Sequence, residues 1–326
     1  MLDEEKVKVE SEKGSGLKSE ISVFESSASA LRSQPSGFSS PPFTPHFHSS
    51  LLLVGLDSMI GSALAREAQS LGIPFSGTSR RAGAQWPLDL AAPPESWTLP
   101  ENISTAILCA AETNIGACEA NPAATRDINT RAVIALADRL AAQGNSITFL
   151  STSRVFPPWI ENPPESTIPA PNTEYGRQKL AVEEYLLRNH PTAKIIRLSK
   201  VISPSLPLME LWSRSLDRRE SLNAFQDFFL SPIALNSSAQ AILQIALGLT
   251  SGIFHLSASD AISYFEVAQF MAQRQDCDSS VVHPASAPQP NTPASTILAC
   301  PRTMKSTSFR PSTAMENLHT AFATMP

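Results

Sequence analysis

Cysteine is scarce in this chain. The four present, Cys109, Cys118, Cys277 and Cys300, have spacings that fit neither a zinc site nor a disulfide framework, so reduced structural thiols are expected. Basic residues are few and unclustered beyond short pairs, 25 Lys and Arg against 30 Asp and Glu for a net charge of −5. That balance leaves no electrostatic footprint for nucleic acid or an anionic membrane, and neither is expected as a partner. No run of about 18 apolar residues occurs, so a hydrophobic membrane span is excluded. The N-terminus, Met1-Leu-Asp-Glu-Glu-Lys6, lacks the basic-then-apolar layout of a secretory signal, and a cytoplasmic protein is expected. No internal repeat is visible. His46-Phe-His48 has no thiol or carboxylate partners around it, and no metal is expected.

What the chain does hold is enough apolar residue for a core, 42% of 326 residues, sufficient for one large domain or two smaller ones. Residues 1–48 are rich in Ser, Pro, Glu and Lys without an apolar period, the composition of a disordered tail. At Ser50-Leu-Leu-Leu-Val54 the character changes. A short apolar run ending at Gly55 predicts a buried strand, and 61–71, with apolar residues at helical spacing and Gly72 behind it, predicts a helix. The turn between them, Gly55-Leu-Asp-Ser58-Met59-Ile60-Gly61, stands where helix-start N–H groups face a dinucleotide pyrophosphate. A second strand, Ile73-Pro-Phe-Ser-Gly-Thr78, leads to Ser79-Arg80-Arg81. Arginine there forks a 2′-phosphate, which points to NADP; two solvated loop arginines are the alternative.

Further strands at 104–109, 145–150 and 193–198 alternate with helices at 121–143 and 175–188. Such alternation predicts an α/β protein, a Rossmann-type doubly wound parallel sheet that binds ligands at the carboxyl ends of its strands. The expected division is a cofactor-binding domain over 49–200 and a smaller C-terminal α/β substrate lobe over 201–326, parts of which can return to the sheet. Apolar segments at 242–249 and 251–256, a helix from Tyr264 and a Pro-rich loop at 287–293 are assigned to that lobe.

Chemistry is concentrated in Thr173-Glu-Tyr175-Gly-Arg-Gln-Lys179-Leu180. On a helix, positions i and i+4 share a face, so the Lys179 ammonium can lie beside the Tyr175 ring. A free phenol titrates near about 10, and a fixed cation beside it favours the phenolate and makes it a better acid near neutrality. The alternative is an ordinary exposed pair on an amphipathic helix. Ser151-Thr152-Ser153 follows a predicted strand, where hydroxyls can donate to a substrate carbonyl or serve as plain loop residues.

In order along the chain stand Cys109-Ala-Ala-Glu-Thr-Asn114, Asp127-Ile-Asn129, Phe149-Leu-Ser-Thr-Ser-Arg-Val-Phe156, Tyr175-Gly-Arg-Gln-Lys-Leu-Ala-Val-Glu183, Ile196-Arg-Leu-Ser-Lys-Val201, Asp227-Phe-Phe-Leu-Ser-Pro232 and Gly252-Ile-Phe-His-Leu-Ser257. With these blocks the stretch from Leu51 to Arg302 resembles the extended short-chain dehydrogenase/reductases, and more narrowly the dTDP-4-dehydrorhamnose reductase family. The resemblance implies an NADP-dependent reductase of a nucleotide-linked keto sugar, with NAD as the other cofactor and a homodimer as the compatible assembly. It implies a catalytic trio of Thr152, Tyr175 and Lys179, Thr152 standing three residues before Val155 as the family's hydroxyl does. Cofactor contacts are implied for Gly55, Ser58, Met59, Ile60 and Gly61 of the turn, for Ser79 and Arg80 at the 2′-phosphate, for Asp89 and Leu90 at the adenine and for Ala110 and Ala111 along its path. Contacts to the nicotinamide end are likewise implied for Tyr175 and Lys179. Thr113, Ser153, Lys200 and Arg302 are the implied substrate contacts.

The chain departs from the family at three points. Ser58 replaces the middle glycine of Gly-x-x-Gly-x-x-Gly, Asp57 adds a negative charge expected to face the pyrophosphate, and Lys200 replaces a frequent tryptophan. The first two predict weakened cofactor affinity. A second resemblance, to the regulatory subunit of methionine adenosyltransferase, implies the rival reading of a non-catalytic NADP-binding scaffold. Epimerases and dehydratases of the superfamily fit less well. Those dehydratases place acidic residues beside the catalytic hydroxyl, where this chain has Ser153 and Arg154.

Overall fold

Strand β1 (Leu51–Val54) is apolar and buried at every position, as the interior of a parallel sheet requires. The computed structural model describes residues 50–81, 83–288 and 301–323; the 1–48 tail with its His46/His48 pair, Cys300 and residues 289–293 of the Pro-rich loop lie outside them. From β1 the chain turns into α1 (Met59–Ser70), and β2 (Phe75–Ser79) returns in parallel, with Leu51 opposite Phe75. The edge strand β3 (Trp86–Pro87) follows, then β4 (Thr105–Leu108), which pairs with the other side of β1. Beyond α2 (Ile115–Ala120), helix α3 (Pro122–Arg126) continues through a π-helical stretch, Asp127–Ala132, into α4 (Val133–Ala142). Next come β5 (Ser146–Thr152), α5 (Glu174–Asn189) and β6 (Lys194–Leu198).

A second layer of short elements follows: β7 (Lys200–Ile202), α6 (Pro207–Asp217), β8 (Leu222–Phe225), β9 (Phe229–Leu230) and β10 (Pro232–Ala234). Then come α7 (Leu235–Leu247), β11 (Gly252–Leu256), β12 (Ile262–Ser263), α8 (Tyr264–Arg274), β13 (Val282–Ala285) and α9 (Ala314–Ala321).

The large sheet runs β11-β6-β5-β4-β1-β2-β3 and is parallel throughout. The winding direction reverses between β1 and β4, which opens a crevice at their carboxyl ends. The two-residue period of β1 divides the core. Leu51 and Leu53 pack with Leu64 of α1 and Ile242 of α7, while Leu52 and Val54 pack with Leu136 of α4 and Val182 of α5. Each such side chain contributes about 1.5–3 kcal/mol by leaving water. A third cluster around Trp212, Val267, Met271, Leu318 and Phe322 is the core of the short-element lobe.

The apolar segments at 242–249 and 251–256, assigned by sequence to that lobe, in fact serve the large sheet. Helix α7 packs on the same face as α1, and β11 extends the sheet beside β6 with Ile253 opposite Ile195. Apolar patterning reports that a segment is buried; it does not say against which neighbour. The other difference is the helix expected to start at Asn121, which runs through a π-helical stretch that no sequence period marks.

One buried polar chain crosses this core. Ser151 Oγ donates to Glu183 Oε1, and Arg197 grips Glu183 through Nε to Oε2 at 3.0 Å and through Nη2 to the same oxygen at 2.7 Å. Arg197 and Glu183 are 2% and 1% exposed at their side chains, so neither charge could stand alone there. His255 continues the chain, its Nδ1 3.1 Å from the Lys305 carbonyl and its Nε2 3.3 Å from Arg197 Nη1. Those partners assign the neutral Nδ1–H tautomer. Burial, and then the Arg197 charge, push the imidazole pKa down to about 4. Below the ordinary value of 6.5 the unfolded chain therefore binds a proton that the folded chain refuses until about pH 4. Stability contributed by His255 is present above that window and lost as pH falls through it, by up to about 3 kcal/mol. Urea unfolding across the window should show this acid slope in the wild type and a flatter one in His255→Gln; equal slopes would contradict it.

Candidate active site

Helix α5 is fixed at its start by several groups. Thr173 caps it, accepting the Gly176 N–H at 3.1 Å, and Glu174 in the first turn pairs with Arg126 at 2.6 Å and Arg177 at 3.0 Å. Gly176 then allows close docking: a Cβ there would stand 2.2 Å from the Arg154 carbonyl oxygen, in the short helical turn Ser153–Val155 that follows β5. The docking sets the first turns of α5, with Tyr175 and Lys179, beside the carboxyl end of β5, where Thr152 stands.

Lys179 is buried and donates to the Leu150 carbonyl at 3.0 Å. Its Nζ lies 4.6 Å from the Phe149 ring centroid and 5.8 Å from that of Tyr175, so the i, i+4 face expected from sequence is realised. Burial lowers its pKa to about 8, and Cys109 and Glu183 oppose that shift. The Tyr175 phenol is pushed well above its ordinary value, chiefly by burial, with Cys118 and Glu112 adding to the rise and Arg154 opposing it. The expectation that Lys179 holds the tyrosine below its usual pKa is thus corrected. Among the protein's own groups, loss of water around the phenol outweighs the opposing Arg154 charge. Thr152 Oγ1 accepts the Arg154 N–H at 3.2 Å and caps the short turn.

Behind the pair lies a second buried set that the sequence contained without revealing. Asn129, inside the π-helical stretch, accepts the Glu112 N–H at 2.8 Å and donates to the Glu112 carbonyl at 2.9 Å and to Gln178 Oε1 at 2.8 Å. It ties the loop after β4 to α5. Asp127-Ile-Asn129 stood among the family-like blocks, but nothing in its spacing told of this role.

Eight of the cofactor residues expected from sequence line a crevice at the ends of β1, β2 and β4, and Met59, Ile60, Gly61, Tyr175 and Lys179 do not. A cavity of about 280 Å³ there is lined by Gly55, Ser58, Ser79, Arg80, Asp89 and Ala110, with Leu90 and Ala111 beside them. Glycine permits the closure. A Cβ at Gly61 would stand 2.2 Å from the Gly55 carbonyl oxygen, and one at Gly55, whose φ is +91°, would stand 2.9 Å from the Ala110 nitrogen. Met59 and Ile60 turn their side chains into the core against α7 and can offer only backbone. Thr78 and Glu112 also line the cavity and had not been expected; Thr78 Oγ1 accepts the Gly55 N–H at 3.2 Å.

Two departures in the turn gain physical meaning here. Ser58 caps α1, and its Oγ accepts the Gly61 N–H at 2.9 Å, a donor that a pyrophosphate would otherwise use. Asp57, expected to face the pyrophosphate, instead turns to Ser79, whose Oγ donates to it, and to Arg81 Nε at 3.5 Å. The cradle fits the adenosine end of a dinucleotide, with one anion donor already engaged.

The expected substrate contacts are scattered by comparison. Ser153 is buried in the turn after β5, Thr113 and Lys200 are exposed, and the exposed Arg302 stacks its guanidinium 4.2 Å from the Phe229 ring centroid. Among the described residues no cluster of three or more His, Cys, Asp or Glu could hold a metal ion, and no helix is long and apolar enough to cross a membrane.

A parallel doubly wound sheet with a Tyr-x-x-x-Lys helix at the carboxyl end of β5 defines an oxidoreductase of the extended short-chain dehydrogenase/reductase type. The chain belongs to the RmlD substrate binding domain family, which it matches over residues 49–325. It is 25% identical over 254 residues to the dTDP-4-dehydrorhamnose reductase of Mycobacterium tuberculosis, covering 75% of this chain and 81% of the relative. It is 27% identical over 190 residues to methionine adenosyltransferase 2 subunit beta of Rattus norvegicus, 54% of this chain and 56% of that one. The crystal structure of dTDP-4-dehydrorhamnose reductase from Bacillus anthracis in complex with NADP superposes with a TM-score of 0.73 at 19% identity, over 86% of this chain and 99% of that one.

Ser58→Gly should release the Gly61 N–H. The helix should lose only a few tenths of a kcal/mol, because glycine also tolerates the N-cap. The freed donor should tighten NADPH binding by about 1 kcal/mol, roughly fivefold. Thermal unfolding and fluorescence titration measure the two effects, and unchanged or weaker binding would contradict the role given to Ser58.

Proposed function

We propose that the protein is an NADP-dependent reductase of a nucleotide-linked keto sugar, with Tyr175 as proton donor and NADH as an alternative to NADPH. The observation that carries this reading is the buried Lys179 beside the Tyr175 ring at the carboxyl end of β5. Bound at the cavity of Gly55, Ala110 and Asp89, the cofactor supplies hydride to a carbonyl carbon. Thr152, whose Oγ1 accepts the Arg154 N–H, keeps its own proton for the carbonyl oxygen. Tyr175 gives its proton to the alkoxide as charge develops. Lys179, with a pKa of about 8, is mostly cationic at neutral pH and opposes the burial that otherwise suppresses ionisation of the phenol. The exposed Lys200 and Arg302 suit the diphosphate of a nucleotide sugar.

The M. tuberculosis and B. anthracis relatives, both named dTDP-4-dehydrorhamnose reductase, support the substrate class. A second reading, a non-catalytic cofactor-binding scaffold, draws on the likeness to methionine adenosyltransferase 2 subunit beta and on the engaged Gly61 donor. Turnover separates the two. With NADPH and a panel of 4-keto nucleotide sugars, the wild type should consume cofactor, and Tyr175→Phe should lose on the order of 10²–10⁴ in rate with a far smaller change in NADPH affinity. No consumption above the Tyr175→Phe background on any sugar, with cofactor bound, would favour the scaffold.

A further inference from the structure

Two of the substrate contacts expected from sequence, Lys200 and Arg302, stand far apart in the chain yet meet around one short segment, Phe229 to Pro232. Lys200 lies in β7, opposite Pro232 of β10, and the Arg302 guanidinium stacks 4.2 Å from the Phe229 ring centroid. Within that segment sits Ser231, 3% exposed, whose hydroxyl and carbonyl are both engaged. Its carbonyl accepts the hydroxyl of Ser199, the residue before Lys200, at 2.7 Å. Its own hydroxyl lies 2.9 Å from the Asp260 carbonyl oxygen, 3.1 Å from that of Ala258 and 3.0 Å from Ser257 Oγ. Carbonyl oxygens only accept, so the single Ser231 proton goes to them and the Ser257 hydroxyl must donate to Ser231. Ser257 Oγ in turn accepts the N–H of Met304, two residues beyond Arg302, at 3.2 Å.

We propose that Ser231 is a positioning residue for the substrate: it links the Lys200 and Arg302 segments, and the rim so formed takes the diphosphate of a nucleotide sugar. The link has two arms. Through its carbonyl, Ser231 holds the step from β6 into β7 that carries Lys200. Through the hydroxyl chain it holds the strap around Met304, whose side chain is buried against Val155 and Phe156 at the turn after β5. Stacking on Phe229 occupies one face of the Arg302 guanidinium and leaves its in-plane N–H groups for phosphate oxygens. An arginine held in this way loses less freedom on binding than one on a loose strap, and the difference appears in affinity. None of the segments joined by Ser231 lines the cofactor cavity, so its loss falls on substrate and spares cofactor.

The inference rests on the nucleotide-sugar reading above, and nucleoside diphosphates, which carry the diphosphate but no keto sugar to reduce, test it apart from turnover. Calorimetric titration of the full chain with thymidine diphosphate and with uridine diphosphate identifies the tighter of the two. Ser231→Ala should bind that nucleotide roughly fivefold more weakly than the wild type. Ser257→Ala, which breaks the same chain one hydroxyl away, should reproduce the loss. In an Arg302→Ala background, Ser231→Ala should cost less than about twofold more, because the residue it positions is gone. NADPH affinity should change by less than about twofold in each serine variant. Nucleotide binding unchanged in both serine variants overturns the proposal. So does a full loss that persists in the Arg302→Ala background, or one matched by NADPH, since a general loosening of the fold gives that result. The expected binding pattern without turnover of any 4-keto nucleotide sugar supports this inference and overturns the reductase reading alone. A folded wild type that binds NADPH but neither nucleoside diphosphate overturns the substrate class and this inference together.

Discussion

The buried pair of Arg197 and Glu183 ties α5, which carries Tyr175 and Lys179, to the large sheet. Glu183 lies one turn beyond Lys179 on α5, Arg197 lies on β6, and Ser151, which donates to Glu183, directly precedes Thr152 on β5. One carboxylate therefore fixes α5 against two strands and sets a negative charge on the Lys179 side of the core. Removing either partner would leave an uncompensated charge where water does not reach, a loss of about 3–5 kcal/mol in comparable buried pairs. His255 extends the constraint to β11, the strand by which the chain rejoins the large sheet between two parts of the second lobe. The late part of the sequence is thus fastened to the site formed by the earlier part.

Around that frame the two ends of the crevice are built differently. At the β5 end Tyr175 and Lys179 are buried, and burial moves both pKa values toward the neutral forms. Such groups change charge readily once ligands alter their surroundings, which suits proton transfer. At the adenosine end the charges are partly exposed and balance one another, Asp57 against Arg81 with Arg80 nearby.

Much of this was legible in the sequence because it depends on local period and spacing. The wholly apolar β1, the glycine turn after it and the four-residue step from Tyr175 to Lys179 each express one element's geometry, and the structure forms each element as the pattern predicts. What was not legible depends on partners distant in the chain. Asp57 was expected to oppose a pyrophosphate, yet a hydroxyl 22 positions later and the Arg81 guanidinium draw it aside. Arg197 and His255, 58 positions apart, meet only because β11 lies beside β6. The tyrosine pKa turned out opposite to expectation because spacing shows that a cation is near but not how much water is lost.

The central claim is hydride delivery to a sugar carbonyl with Tyr175 as acid. It is tested most directly by incubating the protein with a 4-keto nucleotide sugar and NADPH bearing deuterium at both C4 positions, then weighing the sugar product by mass spectrometry. The account predicts one deuterium on the reduced sugar with the wild type and, over the same time, labelled product lower by on the order of 10²–10⁴ with Tyr175→Phe. A wild-type protein that binds the cofactor and leaves every such sugar unlabelled would contradict it.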